Sequence, residues 1–342
     1  MKKILPLLVS LLCLCCATAL PGGMALHRTD AKASVHELPW LRKILRPIGT
    51  VLSVEKTSAH GSAVRAIFRC RVLRVSDGEE CQLLVKFLDG DAPTVRRHFP
   101  RLGEVRELAA NLRLRPGDGV EVPLLEGIIP CCCGNRAYLV VQDFGGRTAL
   151  RSVLRSNRID LARRRRAMAT LGSALAHFHL GNRALVTASS PQCPLAPRHG
   201  DLNFNNFIFS SDRRNVFFID TVGLQLGPCG DDIADVVYAI CRDYVTGAIG
   251  RGEEEGQATL ADCKSLVAAF LQKYRSAAAD LLDGSAIDLQ GFTAAAAAAG
   301  MERLVKRMER EPEELYGPVN CVAGPEFLAG YAQWIGELAV AN

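Results

Sequence analysis

The segment from Arg198 to Asp220 constrains this chain more than any other. It contains two short apolar runs, Phe207-Ile208-Phe209 and Val216-Phe217-Phe218-Ile219, separated by the polar turn Ser211-Asp212-Arg213-Arg214-Asn215. Apolar runs of this length, bounded by turn residues, predict a buried β-hairpin. Polar and acidic residues flank it: His199, Asp201 and Asn206 come before, and Asp220 follows. An acid placed straight after a buried strand is held rigidly and can bind a metal. Asn206 and Asp220, on neighbouring strands, offer hard oxygen ligands of the kind that hold Mg2+ against a triphosphate. Asp201 adds a third oxygen group, facing an acceptor.

The upstream half carries a second constraint. Lys86 lies in Leu83-Leu84-Val85-Lys86-Phe87, a run that reads as a buried strand. A buried charge costs several kcal/mol unless it is paired. Glu104 and Glu107 lie on the helix that follows. Glu104 is the expected partner, because Leu108 and Leu112 follow it at i+4 and i+8.

Residues 199–206 spell H-x-D-x-x-x-x-N, the spacing of a phosphotransferase catalytic loop. His199-Gly200-Asp201-Leu202…Asn206, then Ile219-Asp220, Gly227-Pro228 and Asp232-Ile233-Ala234, resemble the motifs of the aminoglycoside phosphotransferase and choline kinase side of the protein-kinase-like superfamily. The resemblance spans roughly residues 48–245. It implies an α+β, two-lobed protein-kinase-like fold, with a small β-rich N-lobe and a larger, mostly helical C-lobe. It also implies ATP in the cleft, Asp201 as catalytic base, and Asn206 and Asp220 as Mg2+ ligands. On the same resemblance Lys86, locked by Glu104, holds the phosphates, and Asp232 braces the catalytic loop. The phosphate-covering loop falls at Ser58–Ser62, with Ser62 as its contact. Adenine contacts fall near Asp143 and Phe144. Asp143-Phe144-Gly145 is a literal D-F-G, but it precedes the His199 loop, so it cannot supply the metal ligand. Two positions depart from the pattern: Asn203 stands where a His is usual, and Thr221-Val222 follows Asp220. The resemblance favours a small hydroxylated molecule as acceptor, such as an aminoglycoside, a choline-like alcohol or a sugar. A protein kinase or exported effector, and an exported pseudokinase acting as a binding module, are the alternative readings.

Four regions follow along the chain. Residues 1–19 read as a signal peptide: Lys2-Lys3, an apolar stretch to Cys16, and the small-x-small site Ala17-Thr18-Ala19. Export, to a periplasm or outside the cell, is the first expectation. Lipid anchoring through Cys13, Cys15 or Cys16, with membrane association, is the second, and a cytoplasmic chain starting at Met24 is the third. Residues 20–45 form an extension with a short helical stretch near Trp40. Residues 46–144 are the N-lobe: strands at Thr50–Val54, Ala63–Val75, Gln82–Phe87, Val120–Ile129 and Ala137–Gln142, and a helix over 93–114. Residues 145–342 are the C-lobe, with helices at Leu150–Arg155, Leu161–Leu180, Asp231–Thr246, Thr259–Leu282, Leu289–Arg310 and Glu326–Val340. Six consecutive alanines, Ala294 to Ala299, fit helix propensity.

Composition excludes several classes. With 49% hydrophobic and 23% charged residues the chain is neither disordered nor fibrous. Of 41 basic residues nine are Lys, which leaves 32 Arg and makes a Lys in an apolar run unusual. A net charge of +5 and an Arg run, Arg163 to Arg166, with no interleaved aromatics argue against a nucleic-acid partner. That run reads as a solvated helix face, with an anion or membrane-surface patch as the second reading. Ten cysteines remain after residue 19, an even number that permits disulfides without fixing their pairing.

Overall fold

The structure is a computed structural model and describes residues 31–32, 38–57, 64–89, 101–131, 134–145, 148–187, 194–249, 258–283, 287–311 and 323–340. Residues 1–19, read above as a signal peptide, and Ser62 with the rest of the expected phosphate loop lie outside the described residues.

A six-stranded sheet builds the N-terminal half. Its strands are β1 (Ala31–Lys32), β2 (Gly49–Thr57), β3 (Val64–Arg74), β4 (Glu80–Asp89), β6 (Pro123–Cys131) and β7 (Gly134–Gln142), in the order β1-β2-β3-β4-β7-β6, all antiparallel. Alternation along β3 and β4 sends Phe68, Cys70, Val72, Leu83, Val85 and Phe87 into one core. Helix α1 (Leu38–Leu45) closes that core with Leu41, Ile44 and Leu45. Helix α2 (Leu102–Asn111) buries Leu102, Val105 and Ala109 and leaves Glu104 on its outer face.

The C-terminal half is mostly helical. Strand β8 (Thr148–Ala149) leads into α3 (Leu150–Arg155) and the long α4 (Leu161–Leu180), whose N-cap Asp160 accepts a hydrogen bond from the Arg163 amide. Strands β9 (Leu195–Arg198), β10 (Phe207–Phe209), β11 (Val216–Phe218) and β12 (Gln225–Pro228) then lay out the loops of the site. Helices α5 (Gly230–Val245), α6 (Leu260–Leu281), α7 (Leu289–Arg310) and α8 (Ala323–Val340) complete the fold. The alanine run does more than favour helix: Ala294, Ala296 and Ala297 are buried, and a side chain at Gly300 would meet the Ala234 carbonyl at 2.3 Å. Small residues here let α7 lie against α5. The architecture is α+β, β-rich first and helical second, as the sequence predicts.

One expected strand divides. The run read as Val120–Ile129 splits into β5 (Gly119–Val120), which pairs in parallel with β11 in the sheet β5-β11-β10-β8, and β6, which joins the N-terminal sheet. The chain therefore crosses between sheets at Glu121-Val122. Glu121 is buried at this crossing.

Candidate active site

The hairpin is formed as the sequence requires. Phe207 pairs with Phe218 and Phe209 with Val216, and the rings of Phe207, Phe209 and Phe218 are fully buried. Burying these strands fixes the hairpin's open end. There the Ile219 amide donates to the Asn206 carbonyl at 3.0 Å. The next residue, Asp220, sits at φ 61°, ψ 47°, a left-handed conformation that costs a non-glycine residue about 1–2 kcal/mol. Strain of this kind persists only where the surroundings impose it, and it concentrates at functional sites.

Asp201 lies at the surface of the loop between β9 and β10. The Asn206 amide donates to the Asp201 carbonyl at 2.8 Å and reaches its carboxylate at 3.4 Å. This spends the Asn206 nitrogen; its side-chain oxygen has no hydrogen-bond partner among the described residues. The Asp220 carboxylate likewise has no hydrogen-bond or ion-pair partner among the described residues. The two are hard oxygen donors that a divalent cation with its phosphates can complete. No group of three or more His, Cys, Asp or Glu suited to a metal occurs among the described residues.

Asn203 and Thr221-Val222 make local contacts of their own. Asn203 donates to the Asp201 carboxylate at 3.3 Å and accepts the Asn205 amide at 3.0 Å, so it orients the acid from within the loop. The Thr221 hydroxyl donates to the Glu121 carbonyl at 2.6 Å in a buried position, and Val222 packs against the cluster around Leu102.

The loop is braced from below by Asp232, which is fully buried. Its carboxylate accepts the His199 amide at 2.7 Å and the Gly200 amide at 3.1 Å, and contacts His179 at 3.1 Å; His179 in turn meets the Tyr274 hydroxyl at 2.9 Å. Burial pushes the Asp232 carboxyl up, but the bonds and charge of His179, with His199, outweigh it and hold it below the ordinary carboxylate value. The His199 ring ties this loop to the end of β11 by meeting the Ile219 carbonyl at 2.9 Å. Gly200, at φ 77°, lets the loop approach Gly223, where a side chain on Gly200 would meet a carbonyl at 2.7 Å.

Lys86 is buried on β4, as its strand predicts, but its partner is not Glu104. Lys86 Nζ lies 2.6 Å from Glu121 Oε1, and both side chains are about nine-tenths buried. Glu104 points to solvent with its side chain 75% exposed, and its ion pair is with Arg101 at 3.6 Å. The reason is rotational. Val105 and Ala109 turn the opposite face of α2 inward, so leucines at i+4 and i+8 of Glu104 mark a flank and not the buried stripe. Glu121 also accepts the Asp220 amide at 2.7 Å through Oε2. One carboxylate therefore connects the N-terminal sheet to the strained Asp220. Burial pulls the Lys86 ammonium down, but Glu121 and Asp220 outweigh this and hold it above the ordinary lysine value. The signal for Glu121 was in the sequence: like Lys86, it is a charge inside an apolar run, Val120-Glu121-Val122.

Asp143 and Phe144 sit at the connection between the halves. The Asp143 carboxylate is engaged by Arg69 at 2.6 Å and by the Gly145 amide at 2.9 Å, and its own amide donates to Gln82 O. Both oxygens of the Asp143 carboxylate are thus engaged within the protein. Phe144 stacks on Phe217 with ring centroids 4.9 Å apart.

No protein-family model matches the chain, and no curated protein matches it. Among solved structures it is similar to an amicoumacin kinase in complex with AMP-PNP, Ca2+ and Ami, at 13% identity and TM-score 0.42, covering 89% of this chain and 93% of that one. It is also similar to a glucosamine kinase at 13% identity and TM-score 0.38, covering 79% of this chain and 74% of that one. At these scores neither likeness carries an argument about what this chain does.

Proposed function

We propose that the protein is an ATP- and Mg2+-dependent phosphotransferase that moves the γ-phosphoryl group to a hydroxyl of a small molecule. The observation that carries this reading is the convergence at the hairpin's open end. The side-chain oxygens of Asn206 and Asp220, without a partner among the described residues, flank that end; Asn206 bonds the exposed Asp201, and a buried Lys86–Glu121 pair is bonded to the Asp220 backbone. Mg2+ would be held by Asn206 and Asp220 and would neutralise phosphate charge. Lys86 binds phosphate oxygens as a fixed cation, and Glu121 sets its position. Asp201, oriented by Asn203 and Asn206, accepts the proton of the attacking hydroxyl. Catalysis rests on positioning and charge stabilisation. The acceptor class follows the resemblance noted above: an aminoglycoside-, choline- or sugar-like alcohol.

The test is transfer of labelled phosphate from ATP to a panel of such acceptors, run with wild type and Asp201→Asn. Losing a general base costs about 10²–10⁴ in rate. The reading expects that loss with ATP affinity kept. Transfer that survives Asp201→Asn, or label found on protein with none on any small acceptor, contradicts it.

A further inference from the structure

The arginine run at the start of α4 takes no part in the site above. The turn of the β10–β11 hairpin stands against the first turns of this helix, and a cavity of about 450 Å³ lies between them. Arg163, Arg166 and Thr170 line it from α4, and Asp212, Arg213 and Arg214 line it from the turn. Four arginines from two separate elements thus line one concavity, with Asp212 the single acid among its lining residues.

That carboxylate is already engaged. Asp212 accepts hydrogen bonds from the Ser210 hydroxyl and the Arg214 amide, and these hold its turn together. Its ion pair with Arg214 is at 4.0 Å, the outer limit of contact, and Arg163 is 3.5 Å from Asp160 on the helix cap. The side chains of Arg166 and Arg213 have no hydrogen-bond or ion-pair partner among the described residues. Arg213 also occupies a left-handed position, φ 59°, where Gly or Asn fits at lower cost. Turn geometry does not account for an arginine there. Grouping four like charges is unfavourable in itself, and a counter-ion relieves it. A guanidinium offers a planar fork that matches phosphate or sulfate oxygens two at a time.

We propose that this cavity is a binding site for a small anion carrying two or more phosphate groups, separate from the nucleotide site. Asn206 and Asp220 lie at the far end of the same hairpin, roughly 10 Å away for three-residue strands, so both sites can be filled together. Thr170 supplies a hydroxyl donor on the cavity wall. The anion can come from solution or from a phosphorylated lipid headgroup; the chemistry of recognition is the same.

The test is calorimetric titration of the folded protein with inositol 1,4,5-trisphosphate at about 150 mM salt, where charges beyond about 8 Å are screened. Saturating Mg2+-AMP-PNP is included to occupy any nucleotide site. Arg163→Gln/Arg166→Gln and Arg213→Gln/Arg214→Gln are compared with wild type. A control, Arg165→Gln/Arg310→Gln, has the same charge change at exposed positions outside the cavity. One-to-one binding by wild type, weakened about tenfold or more by each cavity pair and by less than about twofold in the control, is expected. No binding by wild type overturns the proposal, as does equal weakening by the control. Retention on vesicles containing phosphatidylinositol 4,5-bisphosphate, lost in both cavity pairs, assigns the lipid source. Binding of the free anion without vesicle retention assigns the soluble one.

Discussion

Replacing Glu121 should damage the protein far more than replacing Glu104, although both are acids on the N-terminal side of the site. Glu121 is 5% exposed, bonds Lys86 at 2.6 Å and accepts the Asp220 amide at 2.7 Å. Glu121→Ala leaves a buried ammonium without its partner and a backbone amide without its acceptor. Removing one member of a buried pair costs about 3–5 kcal/mol. Glu104→Ala, at an exposed helix position, should stay within about 0.5 kcal/mol of wild type. Because the folded Lys86 value lies above its ordinary 10.5, the pair's contribution is fully present below that pH and is lost only as pH rises through the higher folded value. Urea denaturation at neutral pH therefore reads it in full. Lys86→Met/Glu121→Leu should recover part of the loss, with about 1–3 kcal/mol of coupling between the two positions, because an apolar pair removes the unpaired charge. A Glu121→Ala cost below about 1 kcal/mol, or equal costs at 104 and 121, would refute the assignment of Glu121 as the lysine's partner.

Further predictions follow from the same geometry. Asp220→Gly releases a left-handed non-glycine residue, so stability should hold or rise by about 1 kcal/mol in urea denaturation, while Mg2+-dependent nucleotide binding disappears. Asp232→Asn should cost about 3–5 kcal/mol. Since the folded Asp232 value is depressed, its contribution is present above the unfolded value of 3.8 and is lost as pH falls below it, so the variant's acid-unfolding limb should be shallower than wild type's. Burial, opposed by Arg303, raises Asp235 to about 6, so the folded state holds its proton more tightly than the unfolded chain. Stability should fall between pH 4 and 6 relative to Asp235→Asn and then level off, by about 1 kcal/mol or more; a pH series of denaturation midpoints that does not diverge in this window contradicts it.

The sequence made the hairpin legible because strand burial and turn chemistry are local, and both lie within 23 consecutive residues, 198–220. Asn206 and Asp220 follow from that hairpin, since the ends of buried strands are fixed by the strands. Lys86 was legible because a cation in an apolar run needs a partner. Which partner was not. Choosing Glu104 assumed that the leucine spacing marked the inward face of α2, and the helix is rotated so that Val105 and Ala109 fill that role. Glu121 depends on the chain switching sheets between β5 and β6, a long-range event that reading 120–129 as one strand conceals. The brace formed by Asp232, His179 and Tyr274 joins three helices, and only the Asp232 member had a signature in sequence. Of the two histidines at the end of α4, His179 is fully buried in this brace and His177 is half-buried.

The central claim is that Asn206, Asp220 and the Lys86–Glu121 pair form a site for Mg2+-ATP. Thermal unfolding of wild type and Asp220→Gly, each with and without Mg2+-ATP, tests it most directly. At about 100 times Kd the bound nucleotide should stabilise wild type by about 2.7 kcal/mol, dependent on Mg2+, and should leave the variant unmoved. No Mg2+-dependent stabilisation of wild type at millimolar ATP, or an equal one in the variant, would contradict the account.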